Sequence, residues 1–592
     1  MNAQKPRIVI VGGGLAGLMA AVRAAEAGAA VDLISLVPFR RSHSVCAQGG
    51  INAALDTHGE GDSPWHHFCE TIVGGDYLAD QPPVLGMCEA GPDLIYLMDR
   101  MGVPFNRTPE GRLDVQKRGG GTRFRRGVYA GATTGQQLLY ALDEQVRRLQ
   151  AEGTARAFEG WNFLSLLRGA EGRCRGVTAM NLHDGTVRAF PADAVVMATG
   201  GYGALYARTT TSLICNGAAA SACYQQGAIL GNAEFVQWHP TGIPGVDKGR
   251  LMSESLRGGG ARLWTTRDGK PWYFLEEWYP AWGNIVPRDV ASRAIYKVVR
   301  ELGLGVDGQD YVYLDVRHMN PKVLRREYGA ILELYQKFMG EDPLAVPMKV
   351  FPAVHYTMGG IWVDYDQAGS IPGLFAVGEC EHQYHGANRL GANALLACLY
   401  SGMVAGRTAP AYAQGVPDPG EAWQRLAEAE VRRQEELNAA VRSSRGQENP
   451  YALHHELTAL MERNVGLARQ NAALREADAK LLELKDRFRK IDLNGGTAWG
   501  PQAVSFVRQL WNMLELSLVI CRGALRRDES RGAHYKPEFP DRNDADWLKV
   551  TKAAWTPDGP AFTDGPVDIS LLPPGPRRYD QATPLAARPA SR

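Results

Sequence analysis

Arg7-Ile8-Val9-Ile10-Val11-Gly12-Gly13-Gly14-Leu15-Ala16-Gly17 is the stretch whose reading decides the fold. A short apolar, β-rich run passes straight into a glycine turn. Leu18 to Ala27 continues as an alanine-rich helix that stops at Gly28, and Val31-Asp32-Leu33-Ile34 reads as the next strand. This is a βαβ unit with the G-x-G-x-x-G fingerprint in its first turn. Gly12 permits the tight turn, Gly14 lets the backbone approach a pyrophosphate, and Gly17 lets helix and strand pack closely. Gly13, Leu15 and Ala16 complete the turn, where the free N–H groups of a helix N-terminus face the phosphates.

Two later segments decide which dinucleotide is bound. Ala194-Val195-Val196-Met197 reads as a buried strand entering Ala198-Thr199-Gly200-Gly201, and Gly373-Leu374-Phe375-Ala376-Val377-Gly378-Glu379 as another ending in Gly-Glu. With the N-terminal unit they resemble the three scattered pieces of the FAD domain in glutathione-reductase-like flavoproteins. An NAD-only dehydrogenase would not need the second and third pieces. The expected fold class is α/β, with a Rossmann-like FAD-binding domain. Ala198, Thr199, Gly200 and Glu379 are expected cofactor contacts. Ser35 ends the second strand where many relatives place an acid for the ribose, and Asp32 is expected to point into the strand's own packing.

A chain of 592 residues exceeds one compact core, so about two to four domains are expected. Residues 236–349 scatter Trp238, Trp264, Trp272, Trp278 and Trp282 among glycines and charges, and read as an α+β capping domain inserted between FAD-binding parts 1–235 and 350–415. From Glu421 to about Lys490 apolar residues recur at helical spacing, as at Leu453, Leu457, Leu460 and Met461. Helices resume from Ala503 to Arg526, giving a helical domain over 416–540. A tail follows over 541–592, expected to be irregular or partly extended after Asp558.

The composition also excludes classes. A net charge of +1 with no basic run interleaved with aromatics gives no sign of a nucleic-acid partner. The nine cysteines form no CxxC or CxxCH pattern, so iron–sulfur and c-type haem sites are not encoded, and the set fits reduced thiols in a cytoplasmic compartment. Met1 to Pro6 run into a strand without a signal peptide. No run of ~18 apolar residues occurs. Leu510 to Ile520, interrupted by Glu515, reads as a buried amphipathic helix, so membrane association is expected only through a partner.

The most specific string is Arg41-Ser42-His43-Ser44-Val45-Cys46-Ala47-Gln48-Gly49-Gly50-Ile51. It closely resembles the flavoprotein subunits of succinate dehydrogenase and fumarate reductase, a resemblance that extends from Val9 to Glu529-Ser530-Arg531-Gly532-Ala533-His534-Tyr535. In that family the His of R-S-H bonds the 8α carbon of FAD, which the resemblance carries to His43. Arg41, Ser42, Ala47, Gln48, Gly49 and Gly50 are expected beside the cofactor. An N-linked 8α bond withdraws electron density from the ring and raises its potential. Trp238-His239-Pro240-Thr241-Gly242 and His355-Tyr356-Thr357-Met358-Gly359-Gly360 resemble the family's two substrate-histidine strings. Ser253-Glu254-Ser255-Leu256-Arg257-Gly258 resembles a segment whose hydroxyl touches substrate while Glu and Arg relay protons. Arg288-Asp289-Val290 resembles the string of the proton-transfer arginine. His385-Gly386-Ala387-Asn388-Arg389-Leu390-Gly391-Ala392-Asn393 resembles the stretch whose arginine holds a carboxylate, with Ala392 at the substrate and Asn393, Ala394 and Leu395 at the cofactor.

A dicarboxylate needs cations or donors at both ends. Arg389 can grip one carboxylate with a fork, and His239, His355 and Ser253 can donate to the other. Fixing both ends aligns one C–H with flavin N5 and the next with Arg288. Arginine is ordinarily a poor base, with a pKa above ~12. A Glu254–Arg257 relay, on one face if the segment is a helical turn, lets it exchange a proton amid surrounding positive charge. An iron–sulfur partner subunit and, through it, a membrane cytochrome b or anchor subunit are implied, with the chain peripheral on the cytoplasmic side of the membrane. Fumarate reductase acting in reverse is the alternative direction. L-aspartate oxidase shares most strings but holds FAD non-covalently, and a non-catalytic flavin-bearing subunit would not need the full reacting set. Departures from the family are Gly217-Ala218-Ala219 in place of Gly-Asp-Gly, Arg118 before Gly119-Gly120 in place of an aromatic, and Gln136-Gln137 where some branches have His. His66, His67, His454 and His455 are expected to be solvated or structural.

Overall fold

The computed structural model describes residues 5–116, 119–245, 248–417, 420–493, 500–580 and 588. Arg118, expected to alter a packing contact, lies outside the described residues. A parallel five-stranded sheet runs in the order Leu374–Ala376, Ala194–Met197, Arg7–Val11, Ala30–Ser35, Ala155–Glu159. Ile8 to Val11 are all buried in its central strand, as a parallel strand covered on both faces requires. Helix Leu15–Glu26 packs on one face beside helix Asn393–Gln414. Against the other face lies an antiparallel sheet of Trp161–Arg168, Cys174–Asn181 and Val187–Pro191. The carboxyl ends of the parallel strands open together, where ligands bind in such folds.

Strand Val236–Ile243 leaves this unit and Met348–Thr357 returns to it, side by side and antiparallel. They belong to a six-stranded antiparallel sheet with Arg250–Leu251, Val312–Asp315, Arg262–Arg267 and Lys270–Trp272. Helices Arg288–Tyr296 and Pro321–Met339 pack with it around a separate core that includes Leu256, Phe274, Ile295 and Val350. The two connecting strands are not in simple register. Gln237 pairs with Tyr356 and Trp238 with Val354, so His355 is the extra residue of a bulge, and a second shift follows His239. Bulges re-aim side chains, and both shifts flank a histidine predicted to meet substrate.

Helices Glu421–Ser443, Pro450–Asn464, Asn471–Phe488 and Pro501–Arg526 follow. Leu453, Leu457, Leu484 and Leu514 share one core with Val9, Val195 and Met197 of the parallel sheet. Pro501–Arg526 is the one helix among the described residues long and apolar enough to cross a membrane, and 72% of its apolar window is buried within the protein.

After Asp558 the chain is extended to Pro566 and has no helix or strand from 567 to 580. Lys549–Thr556 and Gly559–Pro566 form a hairpin paired from Thr556–Gly559 out to Lys549–Pro566. It completes a four-stranded sheet with Leu230–Gly231 and Gly360–Ile361. Gly559, Pro560, Gly565 and Pro566 sit on an edge strand, where a missing ladder donor is tolerated.

Candidate active site

Two cavities meet at the ends of the parallel strands, and His43, Ser44, Glu379 and Cys398 line both. The first, of about 150 Å³, is walled by Gly12 to Ala16, Ser35, Ser42, Ala198, Thr199 and Gly200. Gly12 has φ 121°, and a Cβ there would lie 2.1 Å from the Ala198 carbonyl oxygen. A Cβ on Gly14 would instead stand 3.4 Å or more from its nearest neighbours, Ser44 and Ser42, so this backbone faces the cleft. Helix Leu15–Glu26 starts here with no acid in its first turn; the Ser44 hydroxyl accepts from the Leu15 N–H at 3.1 Å, and the N–H groups of Ala16 and Gly17 remain. The Ser42 hydroxyl is buried without a partner. Free helix N–H groups, an idle hydroxyl and glycine backbone make an anion cradle suited to a pyrophosphate. Asp32 is taken by Arg156 of the adjacent strand, which donates two bonds of 2.6 Å, and Ala218 lines the cleft without a carboxylate.

The second cavity, of about 480 Å³, gathers His239, Ser253, Glu254, Arg288, His355 and Arg389, with Ala47 to Gly50, Ala392, Ala394 and Leu395. The bulged strands set the two histidine rings 5.0 Å apart. The Thr241 N–H donates to His239 Nδ1 at 3.3 Å, so the neutral ring carries its proton on Nε2, which is buried with no partner. Burial, then the charge of Arg288, holds His239 well below the usual histidine range. His355 is held likewise by burial and Arg288, with Nδ1 2.8 Å from the Thr210 hydroxyl. Both are neutral imidazoles.

Glu254 links two arginines. It accepts from Arg257 at 2.9 Å and from Arg288 at 2.8 and 3.2 Å. Burial alone would raise its pKa, but Arg288 and Arg257 bring it below the ordinary carboxylate range. Glu254 precedes the short helix Ser255–Gly259, which puts Arg257 on the same side. Arg288 is the first residue of helix Arg288–Tyr296, fixed by Pro287 before it. Arg389, on the wall of the same cavity, is 3% exposed and stacks over the Tyr356 ring at 4.6 Å. Its Nε has no partner, and burial followed by Arg288 lowers its pKa to about 9. Ser253 lies 2.5 Å from the Ser255 hydroxyl. A cavity lined by Arg288, Arg389 and further cations, with the Glu254 carboxylate and neutral imidazoles, suits a small dianion whose carbon must lose or gain a proton.

The sequence matches the FAD binding domain family over residues 7–395 and the fumarate reductase flavoprotein C-terminal family over 454–579. It is 56% identical to the succinate dehydrogenase flavoprotein subunit of Bacillus subtilis, over 97% of this chain and 98% of that one. The fumarate reductase flavoprotein subunit of Escherichia coli is 34% identical, over 98% and 96%. A solved Escherichia coli quinol fumarate reductase chain superposes with a TM-score of 0.91 at 33% identity, covering 98% of this chain and all of that one. Mycobacterium smegmatis Sdh1 in complex with UQ1 gives 0.84 at 31% identity, covering 95% and 94%. The chain belongs to the succinate dehydrogenase and fumarate reductase flavoprotein family.

As a flavoprotein of this family it binds FAD, and the first cavity's cradle fits that cofactor. His43 stands between the two cavities. The Ser212 N–H donates to its Nδ1 at 3.1 Å, leaving Nε2 as the available nitrogen, and burial with the nearby Lys248 charge lowers its pKa to about 4. Two expected contacts, Arg41 and Asn393, are placed differently, while Gly17 and Arg257 stand off the cavity walls, as close packing and a relay through Glu254 require. The Arg41 side chain is exposed and lines neither cavity, because the turn Phe39–Arg41 points it outward. Asn393 is wholly buried, accepting from Asn52 and His67 and donating to Thr71, so its side chain anchors the helix start. Gly17 packs under Gly12, where a Cβ would sit 2.0 Å from the carbonyl oxygen. Arg257 lies behind Glu254, off the cavity wall.

Other functional residues were missed. Gln237 accepts from Arg288 at 3.2 Å and donates to Asn388 and to the Arg389 carbonyl at 2.7 and 2.6 Å. Two positions before His239 on a strand, it could have been read from alternation. Thr210 reaches His355 only through tertiary structure. His67 is structural as expected, bonded to Asn393 at 2.8 Å.

Proposed function

We propose that this chain is the flavoprotein subunit of a succinate dehydrogenase that oxidises succinate to fumarate and hands the electrons to an iron–sulfur subunit. The observation that carries the reading is one cavity whose wall holds His43, the Arg288–Glu254 pair and Arg389 together. Bound FAD supplies the two-electron hydride acceptor at that wall. Arg389 grips one carboxylate, while His239 Nε2–H, His355 and Ser253 donate to the other. Holding both ends presents one methylene to the cofactor and its neighbour to Arg288. Arg288 first gives up a proton along Glu254 and Arg257 and then, as the neutral guanidine, takes one from carbon; fumarate reduction uses the same groups in reverse. The interior, with neutral imidazoles and partly unpaired cations, favours a dianion over a neutral acid.

His43 holds FAD covalently through the flavin 8α carbon, supported by its place between the cavities and its unengaged Nε2. The iron–sulfur subunit connects the chain to a membrane cytochrome b or anchor subunit. The chain then sits peripherally on the cytoplasmic face of the membrane. Denaturing electrophoresis after acid precipitation tests the linkage. Flavin fluorescence travels with the polypeptide and disappears in His43→Ser; fluorescence absent from the wild-type band overturns it. Succinate-dependent quinone reduction by the purified complex tests the reaction.

A further inference from the structure

The C-terminal segment crosses from one half of the active site to the other. Gln81, wholly buried at the start of helix Gln81–Arg100, accepts from the Leu571 and Leu572 N–H groups at 2.8 and 2.7 Å and donates to the Leu572 carbonyl. Leu572 is thereby fixed in the core of the FAD-binding unit. Seven residues later Tyr579 is buried in the separate core of the capping unit, edge-on to Trp282 at 5.6 Å. Between them Arg577 donates to both oxygens of Asp289, at 2.6 and 2.9 Å, and to the Val73 and Gly74 carbonyls at 3.1 Å each.

These contacts end on the backbone neighbours of Arg288 and Arg389, two of the arginines that line the second cavity. Asp289 directly follows Arg288 in the first turn of helix Arg288–Tyr296. The Gly74 carbonyl also accepts from Asn388, the residue before Arg389, and Asn388 accepts from Gln237, which in turn holds Arg288. One guanidinium therefore closes a ring that ties Arg288 to Arg389 through Asp289, Gly74, Asn388 and Gln237. Burial alone would raise the pKa of Asp289, but Arg577 and Arg293 hold it at about 2, so the pair stays ionised across the working range. Arg577 itself touches neither cavity.

We propose that residues 571–579 are a strap that holds the capping unit in register on the FAD-binding unit, and that Arg577 is the positioning residue for Arg288, acting through Asp289. The proposal rests on the roles given to Arg288 and Arg389 above. A misplacement of about 1 Å costs on the order of 100-fold in rate. Arg577→Met in the complete complex is therefore expected to lower kcat about 10- to 100-fold, with KM for succinate within about threefold. Arg577→Lys keeps a charge beside Asp289 but cannot reach Gly74 as well, so its kcat falls between the two.

The second readout needs no substrate. Amide hydrogen exchange should speed up in residues 286–296 of Arg577→Met while the parallel sheet stays at its wild-type rate. Unchanged kcat, or exchange that rises uniformly through the chain, overturns the proposal. If Arg577→Met does not accumulate, Tyr579→Ala serves, since it removes the Trp282 contact and leaves the ion pair. The same local exchange change with a smaller fall in kcat is then expected, and an unchanged helix overturns the strap. A wild-type complex inactive toward succinate would sink the functional reading, whereas the exchange measurement decides the strap independently.

Discussion

Two buried ionic clusters of similar composition lie in this protein, and they are built to opposite ends. In the first, Glu529 accepts from Arg527 and from Arg531, and every nitrogen of both wholly buried guanidiniums has an acceptor, from Glu234, Glu529, Asp544, Asp76, Thr551, Trp547 or Lys549. In the second, around Glu254, Arg288 and Arg389, Arg389 Nε and His239 Nε2 are buried and have nothing to donate to. An unpaired buried donor costs about 1–3 kcal/mol. The first cluster spends its charges on the fold. The second leaves donors idle where a dianion can satisfy them, and Arg389 is discharged more easily than an ordinary arginine because it is buried beside the charge of Arg288.

Breaking the second cluster should abolish turnover and spare the fold. Arg288→Ala is expected to retain flavin and melt near the wild-type temperature while succinate–fumarate interconversion falls by about 10³-fold or more. Substantial residual turnover in a steady-state assay would remove Arg288 from the proton path. Breaking the first cluster should do the reverse. Glu529→Ala leaves two buried guanidiniums short of a carboxylate and should cost about 3–5 kcal/mol in denaturant titration. If that variant were stable and inactive, the contrast between the clusters would be wrong.

Titration sharpens the same contrast. Because Arg389 has a pKa of about 9, its charge is complete below that pH and lost above it. KM for succinate should rise as pH passes about 9. A bound dianion stabilises the charged form, so kcat should hold to higher pH than kcat/KM, and a pH-independent KM through pH 10 would rule out this grip. His239→Gln, which retains a donor, should keep about tenfold more activity than His239→Ala. The smallest effect concerns Ala392, which holds φ 63° before helix Asn393–Gln414. Ala392→Gly should relieve up to about 1 kcal/mol of strain with little change in turnover, read from the melting temperature.

Legibility followed the range of the interactions. The glycine turn, the strand ends at Ala198 and Glu379, and the R-S-H string could be read locally because each is a short segment whose residue types carry their own geometry. The histidines were identified from their strings, but the reason they stand together is a bulge at His355 that depends on pairing across more than a hundred residues. Asn393 was misassigned because its string sits beside the cavity while its amide faces Asn52, His67 and Thr71. The tail was legible only as irregular or partly extended, because the pairing of Gly559–Pro566 depends on the partner strand Lys549–Thr556.

The amino-acid sequence alone therefore determined the dinucleotide-binding fold and the family, and pointed to most of the side chains proposed to react, since these rest on spacing within strands, turns and short strings. Tertiary structure decided which of those groups reach the cavity and which stand behind it. It also decided the tautomer of His239 through the Thr241 N–H, and the path of the tail from Gln81 to Asp289. These depend on contacts between residues far apart in the chain, whose burial and orientation no local pattern encodes.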